Sequence, residues 1–74
     1  MNYDIDTPAG MRNSVAWLNA MLNACTTPTL VWYIPRSNSC YTISRGSKTY
    51  TSEGVDSSTE RVLAEAGFTK AVLQ

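Results

Sequence analysis

Histidine is absent from the sequence, which removes the commonest general base and the commonest metal ligand from any site the chain could build. Two cysteines without histidine cannot complete an ordinary structural zinc site within one chain. There is no glycine-rich phosphate loop of the P-loop or dinucleotide type. The six acids are scattered along the chain rather than gathered into a constellation. These gaps argue against an enzyme and imply no metal and no cofactor, because a one-chain active site needs convergent titratable groups. Long apolar runs are missing too. The longest, Leu30-Val31-Trp32-Tyr33-Ile34, is strand-sized and far short of the roughly 18 residues of a membrane span. The N-terminus lacks the basic-then-apolar layout of a secretory signal, so a cytoplasmic protein is the expectation, with no membrane partner. No internal repeat, low-complexity tract or linker interrupts the chain.

What is present suits one small folded unit. The 74 residues are 43% hydrophobic and 16% charged, the balance of an ordered globular chain rather than a disordered one. A chain of this length holds one domain, here residues 1–74 with 1–6 expected to be a flexible N-terminus, and buries only about 60% of its unfolded surface. Seven aromatics (Tyr3, Trp17, Trp32, Tyr33, Tyr41, Tyr50 and Phe68) can supply much of its core. Net charge is zero but unevenly spread. Residues 7–52 hold Arg12, Arg36, Arg45 and Lys48 and no acid, whereas residues 53–74 set Glu53, Asp56, Glu60 and Glu65 against Arg61 and Lys70. Such a split can make the folded surface dipolar.

The first helix is signalled by Thr7 as N-cap and Pro8 at the first helical position. Met11, Val15, Leu18, Leu22 and Cys25 then recur at spacings of four and three, the stripe of one helical face. Gly10 weakens the first turn, and Thr26-Thr27-Pro28 ends the helix because a residue before proline is pushed out of the α region. Thr29 to Ile34 is the strongest strand, rich in β-branched and aromatic residues. Leu30, Trp32 and Ile34 point to one of its faces, Val31 and Tyr33 to the other. After a turn-rich stretch, Pro35 to Ser39, a second strand runs from Cys40 to Ser44. A tight turn at Arg45-Gly46-Ser47 leads to a third, Lys48 to Ser52. Ser57 and Glu60 stand in capping-box spacing at the start of a second helix. Val62, Leu63 and Ala66 form its buried stripe, and Gly67 suits the left-handed residue that closes it. Residues 69–73 either extend that helix or make a short fourth strand, and the apolar run after a glycine stop favours the strand.

The fold class that follows is α+β, a single small domain of order α-β-β-β-α with a short C-terminal fourth strand in reserve. Its antiparallel sheet is expected to carry both helices on one face. This order is shared with double-stranded-RNA-binding domains, and the likeness ends there. Those domains place lysines at the start of the second helix to grip phosphates, whereas this chain has Asp56-Ser57-Ser58-Thr59-Glu60. Its pI is 6.1, low for a nucleic-acid binder.

With no catalytic groups, surface chemistry has to come from aromatics and cations. If Leu30, Trp32 and Ile34 face the helices, Val31 and Tyr33 lie on the open face of the sheet, where Tyr41 or Tyr50 can join them depending on register. Arg36 lies in the first hairpin loop, and Arg45 and Lys48 flank the second. Tyr33, Arg36, Tyr41, Arg45, Lys48 and Tyr50 are therefore the candidate partner-binding residues, tyrosine and arginine being the types that anchor interfaces. The expected function is a small protein-interaction module, an inhibitor or adaptor that occludes a partner protein's surface. Phage and mobile-element proteins that antagonise host defence or nucleic-acid machinery are often of this size. The same residues could instead stack and pair with a nucleic acid, or the aromatic face could form a homodimer. Cys25 and Cys40 are expected to be two buried thiols; paired, they would close a loop of about 15 residues and contribute about 3 kcal/mol.

Overall fold

The computed structural model describes residues 3–71. Helix α1 spans Pro8–Ala24, strand β1 Thr29–Ile34, β2 Ser39–Ser44, β3 Thr49–Glu53, helix α2 Ser57–Glu65 and β4 Thr69–Lys70, with a 3-10 turn at Pro35–Ser37 between β1 and β2. The α+β order read from the sequence holds, and the fourth strand forms. Residues 72–73 of the stretch assigned to it lie outside the described residues.

The sheet order is β1-β2-β3-β4. The first three strands pair antiparallel, with Trp32 opposite Tyr41 and Tyr41 opposite Ser52. Strand β4 joins β3 in parallel, so the sheet is mixed where an antiparallel one was expected. The cause is the connection. After β3 the chain runs back along α2, and a strand that follows a returning helix re-enters the sheet in the direction of the strand before it. Backbone bonds from Thr69 to the Lys48 carbonyl and from Ala71 to the Tyr50 carbonyl, at 2.9 and 2.8 Å, fix β4 in place.

Both helices cover one face. Leu18 and Leu22 of α1 and Val62 and Leu63 of α2 pack with Ile34, Tyr41, Ile43, Tyr50 and Phe68 in the core. Trp17 and Trp32 join α1 to β1 with ring centroids 5.3 Å apart, close enough to add to area burial. The buried line of α1 is Gly10, Ser14, Leu18 and Leu22, so the helix is rotated slightly from the stripe its apolar residues define. Met11 and Val15 pack against the core only from its flank.

The start of α1 accounts for both the rotation and Gly10. The Gly10 N–H donates to the Thr7 hydroxyl at 3.0 Å, and that hydroxyl donates to the Asp4 carbonyl at 2.8 Å. A Cβ on Gly10 would overlap that same carbonyl. Residues 4–6 form a turn that tucks against the helix, with Ile5 packed on the core; residues 1–2 of the stretch expected to be flexible lie outside the described residues. Helix α2 begins one residue earlier than the capping box implied. Asp56 is the N-cap and takes the Thr59 N–H at 2.9 Å. At the other end Gly67, at φ +93°, closes a Schellman motif, with Phe68 N–H on the Leu63 carbonyl and Gly67 N–H on the Ala64 carbonyl. No helix among the described residues is long and apolar enough to cross a membrane.

Candidate functional site

The register decides the two faces. Strand positions alternate, so Tyr41, Ile43 and Tyr50 join Leu30, Trp32 and Ile34 under the helices. The opposite face carries Val31 and Tyr33 of β1, Cys40 and Thr42 of β2, and Thr51 and Glu53 of β3. No described element covers that second face. Val31 is 66% exposed and Tyr33 54%.

The six residues proposed from sequence separate on this frame. Tyr33 lies on the open face, its hydroxyl donating to Asn38 Oδ1 at 2.9 Å. Tyr41 and Tyr50 do not join it. Tyr41 is fully buried and Tyr50 nearly so, because pairing of Tyr41 with Trp32 and of Tyr50 with Ile43 turns them toward the helices. The Tyr41 hydroxyl accepts the Asp56 N–H at 2.7 Å and directs its proton at the Glu60 carboxylate and the Asp56 carbonyl, 3.1 and 3.2 Å away. The Tyr50 hydroxyl points at the other Glu60 oxygen, 3.4 Å off. Burial first, with Glu60's charge adding, pushes Tyr41 up to about 12; burial and Glu60 also raise Tyr50.

The cations have internal work as well. Arg36 clasps Asp56 through two bonds, Nε to Oδ2 at 2.9 Å and Nη2 to Oδ1 at 3.0 Å, the paired geometry that favours arginine. Ser37 adds a third bond to Asp56 at 2.9 Å. Burial alone would raise the Asp56 carboxyl, but bonds from Arg36, Thr59 and Ser37 outweigh it and hold the pKa at about 2. Arg45 donates from Nη1 to the Leu22 carbonyl at 2.8 Å, placing a positive charge at the end of α1, which has no basic residue in its own last turn. Lys48 takes the left-handed conformation, φ +52°, that closes the β2–β3 turn.

Asp56 and Glu60 are therefore the polar centre of the domain, and they serve to hold α2 on the sheet. Neither stood out in the sequence as more than a cap. The cysteines are free: Cys25 donates from Sγ to the Met21 carbonyl at 3.3 Å as α1 ends, while Cys40 sits on the open face. Each is half-buried rather than buried. Among the described residues no group of three or more metal-binding side chains comes together. A shallow groove of about 310 Å³ runs beside α1, lined by Met11, Val15, Ala16 and the oppositely charged Arg12 and Glu65.

Among the described residues, the outer edge of β1 is a feature without an internal role. The Arg45 N–H bonds to the Pro28 carbonyl at 3.1 Å, and antiparallel bonding alternates from that point. Leu30, Trp32 and Ile34 thus direct their backbone groups at β2, and Thr29, Val31 and Tyr33 direct theirs outward. Thr27 Oγ1 caps the Thr29 carbonyl at 2.7 Å. No backbone group among the described residues reaches those of Val31 or Tyr33. Edge strands are ordinarily blunted by charge, proline, a bulge or brevity. The opposite edge follows that rule, since β4 has two residues and one is Lys70. Strand β1 has six residues, Thr-Leu-Val-Trp-Tyr-Ile, with none of these devices. The chain matches no protein-family model, and no curated protein or solved structure is significantly similar to it.

Proposed function

We propose that this chain is a small non-catalytic protein-binding module, an inhibitor or adaptor that occupies a partner's surface through β1 and the open sheet face beside it. The observation that carries the reading is the uncharged outer edge of β1, with Val31 and Tyr33 exposed next to it. Backbone N–H and C=O groups that point outward offer affinity through strand addition, and the alternate side chains offer selectivity. A nucleic-acid role draws less support, because Arg36 and Arg45, the cations it would use, are bonded to Asp56 and to the Leu22 carbonyl. The test compares affinity capture from host extract by the native chain and by Val31→Lys, with Arg12→Ala as a surface control. Val31→Lys should lower recovery of the specific partner at least tenfold. Amide exchange at Val31 and Tyr33 should slow when the purified partner is added. Equal recovery by Val31→Lys and the native chain would overturn the proposal.

A further inference from the structure

We infer that the occupant of the β1 edge is the β1 edge of a second copy of this chain, paired antiparallel about a two-fold axis at Val31. The inference rests on the reading of β1 as the binding strand and names what binds it. A two-fold contact brings a surface against itself, so any charge near the axis meets its own like. Strand β1 contains no charged residue. The nearest charge beyond it is Arg36, past the C-terminal end, whereas residues 25–28 at the other end are Cys-Thr-Thr-Pro. An antiparallel copy therefore sets each Arg36 beside an uncharged segment and keeps the two guanidinium groups at opposite ends of the joint.

Hydrogen-bond parity selects the register. Only Thr29, Val31 and Tyr33 point outward, and they form bonded pairs only with each other. With the axis at Val31 the pairs are Val31 with Val31 and Thr29 with Tyr33 in both directions, which uses all three, Thr29 giving its N–H and the second lone pair of a carbonyl that already accepts from Thr27. Moving the axis to Trp32 sets Thr29 against Pro35, which has no N–H to give. Moving it to Leu30 sets Tyr33 against Thr27, outside the strand. On the helix side the chosen register places Leu30 against Trp32 of the other copy, both half-buried in one chain and covered further in two. The paired sheets form one continuous sheet. On its outer face the two Val31 side chains meet at the centre, with Tyr33 to either side, so pairing joins the apolar surfaces of the two copies into one patch.

The register is tested by cross-linking in a Cys25→Ser, Cys40→Ser background. Bonded antiparallel pairs hold Cα atoms about 5.5 Å apart, inside the range a disulfide spans. Val31→Cys should give a covalent dimer under mild oxidation. Thr29→Cys mixed with Tyr33→Cys should cross-link, and each alone should not. Thr51→Cys, on the same face but on β3, should stay monomeric. Sedimentation of the native chain should show its mass rising from 8.1 kDa to twice that with concentration, and Val31→Lys should hold it at the monomer. A chain that stays monomeric to millimolar concentration, or cross-links as well at Thr51 as at Val31, overturns the inference. If it stays monomeric while Val31→Lys still loses a captured partner, self-pairing falls and the protein-binding reading stands. If it dimerises through β1 but Val31→Lys captures as before, the protein-binding reading falls.

Discussion

Asp56 is the residue on which the stability of this domain is expected to depend most sharply. Its side chain is almost wholly buried and holds Arg36, Ser37 and the Thr59 N–H, while its own N–H and carbonyl hold Tyr41. The drop in its carboxyl pKa from 3.8 to about 2 converts, at about 1.36 kcal/mol per pH unit, to native-state stabilisation on the order of 2 kcal/mol. The folded value lies below the unfolded one. That contribution is therefore complete above pH 4 to 5, declines as pH falls, and is mostly gone near pH 2.

Asp56→Asn removes the charge and keeps a side chain able to cap α2. At pH 7 it should cost on the order of 2 kcal/mol, or roughly 8–16 °C in thermal midpoint for a domain of this size. The assay is urea unfolding followed by circular dichroism from pH 7 to pH 2. The gap between native and variant should narrow through this window and fall below about 0.5 kcal/mol at its acid end. Asp6→Asn, which removes the exposed partner of Arg61 at 2.8 Å, is the control and should stay within about 0.5 kcal/mol throughout. An Asp56→Asn loss that is the same at pH 7 and pH 2 would show that the ionised carboxylate is not the stabilising species.

Other perturbations separate the internal roles from the surface ones. Tyr41→Phe leaves the Asp56 N–H without its acceptor and should cost about 1–3 kcal/mol at pH 7. Because the Tyr41 pKa is raised from 10.0 to about 12, native stability should be full below pH 10 and fall as pH climbs from there, and Tyr41→Phe should flatten that fall in urea midpoints taken up to pH 11.5. Gly10→Ala gains about 1 kcal/mol of helix propensity but collides with the Asp4 carbonyl; a net loss of about 1–2 kcal/mol is expected, and a rise in thermal midpoint would refute the close approach. Arg36→Ala should lower the midpoint markedly, since it leaves a buried carboxylate unpaired. Tyr33→Ala should leave it within about 2 °C, as suits an exposed site.

The elements were legible where local chemistry and tertiary packing agree. Thr7 and Pro8 marked the start of α1, Pro28 its end, and Gly67 the stop of α2, because caps and breakers act on the backbone beside them. Alternation put Leu30, Trp32 and Ile34 on one face and Val31 with Tyr33 on the other, as the structure has them. What the sequence hid was long-range. The direction of β4 depends on the path of α2 rather than on Thr69 and Lys70 themselves. The anchoring of residues 4–6 depends on a gap at Gly10 that looks, read along the chain, only like a weak helical position. Asp56 reads as one more polar residue before a helix until a hairpin loop twenty positions earlier delivers Arg36 to it.

The same long-range bonding explains why the candidate surface shrank. Tyrosine and arginine mark interfaces because they combine apolar area with directed hydrogen bonds, and a domain of this size needs those same properties inside itself. With so little core to bury, Tyr41 and Tyr50 fill volume under α2 and satisfy Glu60, Arg36 fixes the N-terminus of that helix, and Arg45 caps the C-terminus of α1. Residue type alone could not separate these uses, whereas the backbone could. The alternation of bonds in β1 leaves Val31 and Tyr33 with outward-facing N–H and carbonyl groups that nothing described in the chain fills, beside side chains that are exposed rather than buried. A two-residue edge bearing Lys70 at one side of the sheet and a six-residue, uncharged edge at the other differ in the features that govern strand addition. It is this asymmetry, more than any aromatic or cation, on which the proposal of β1 as the binding strand rests.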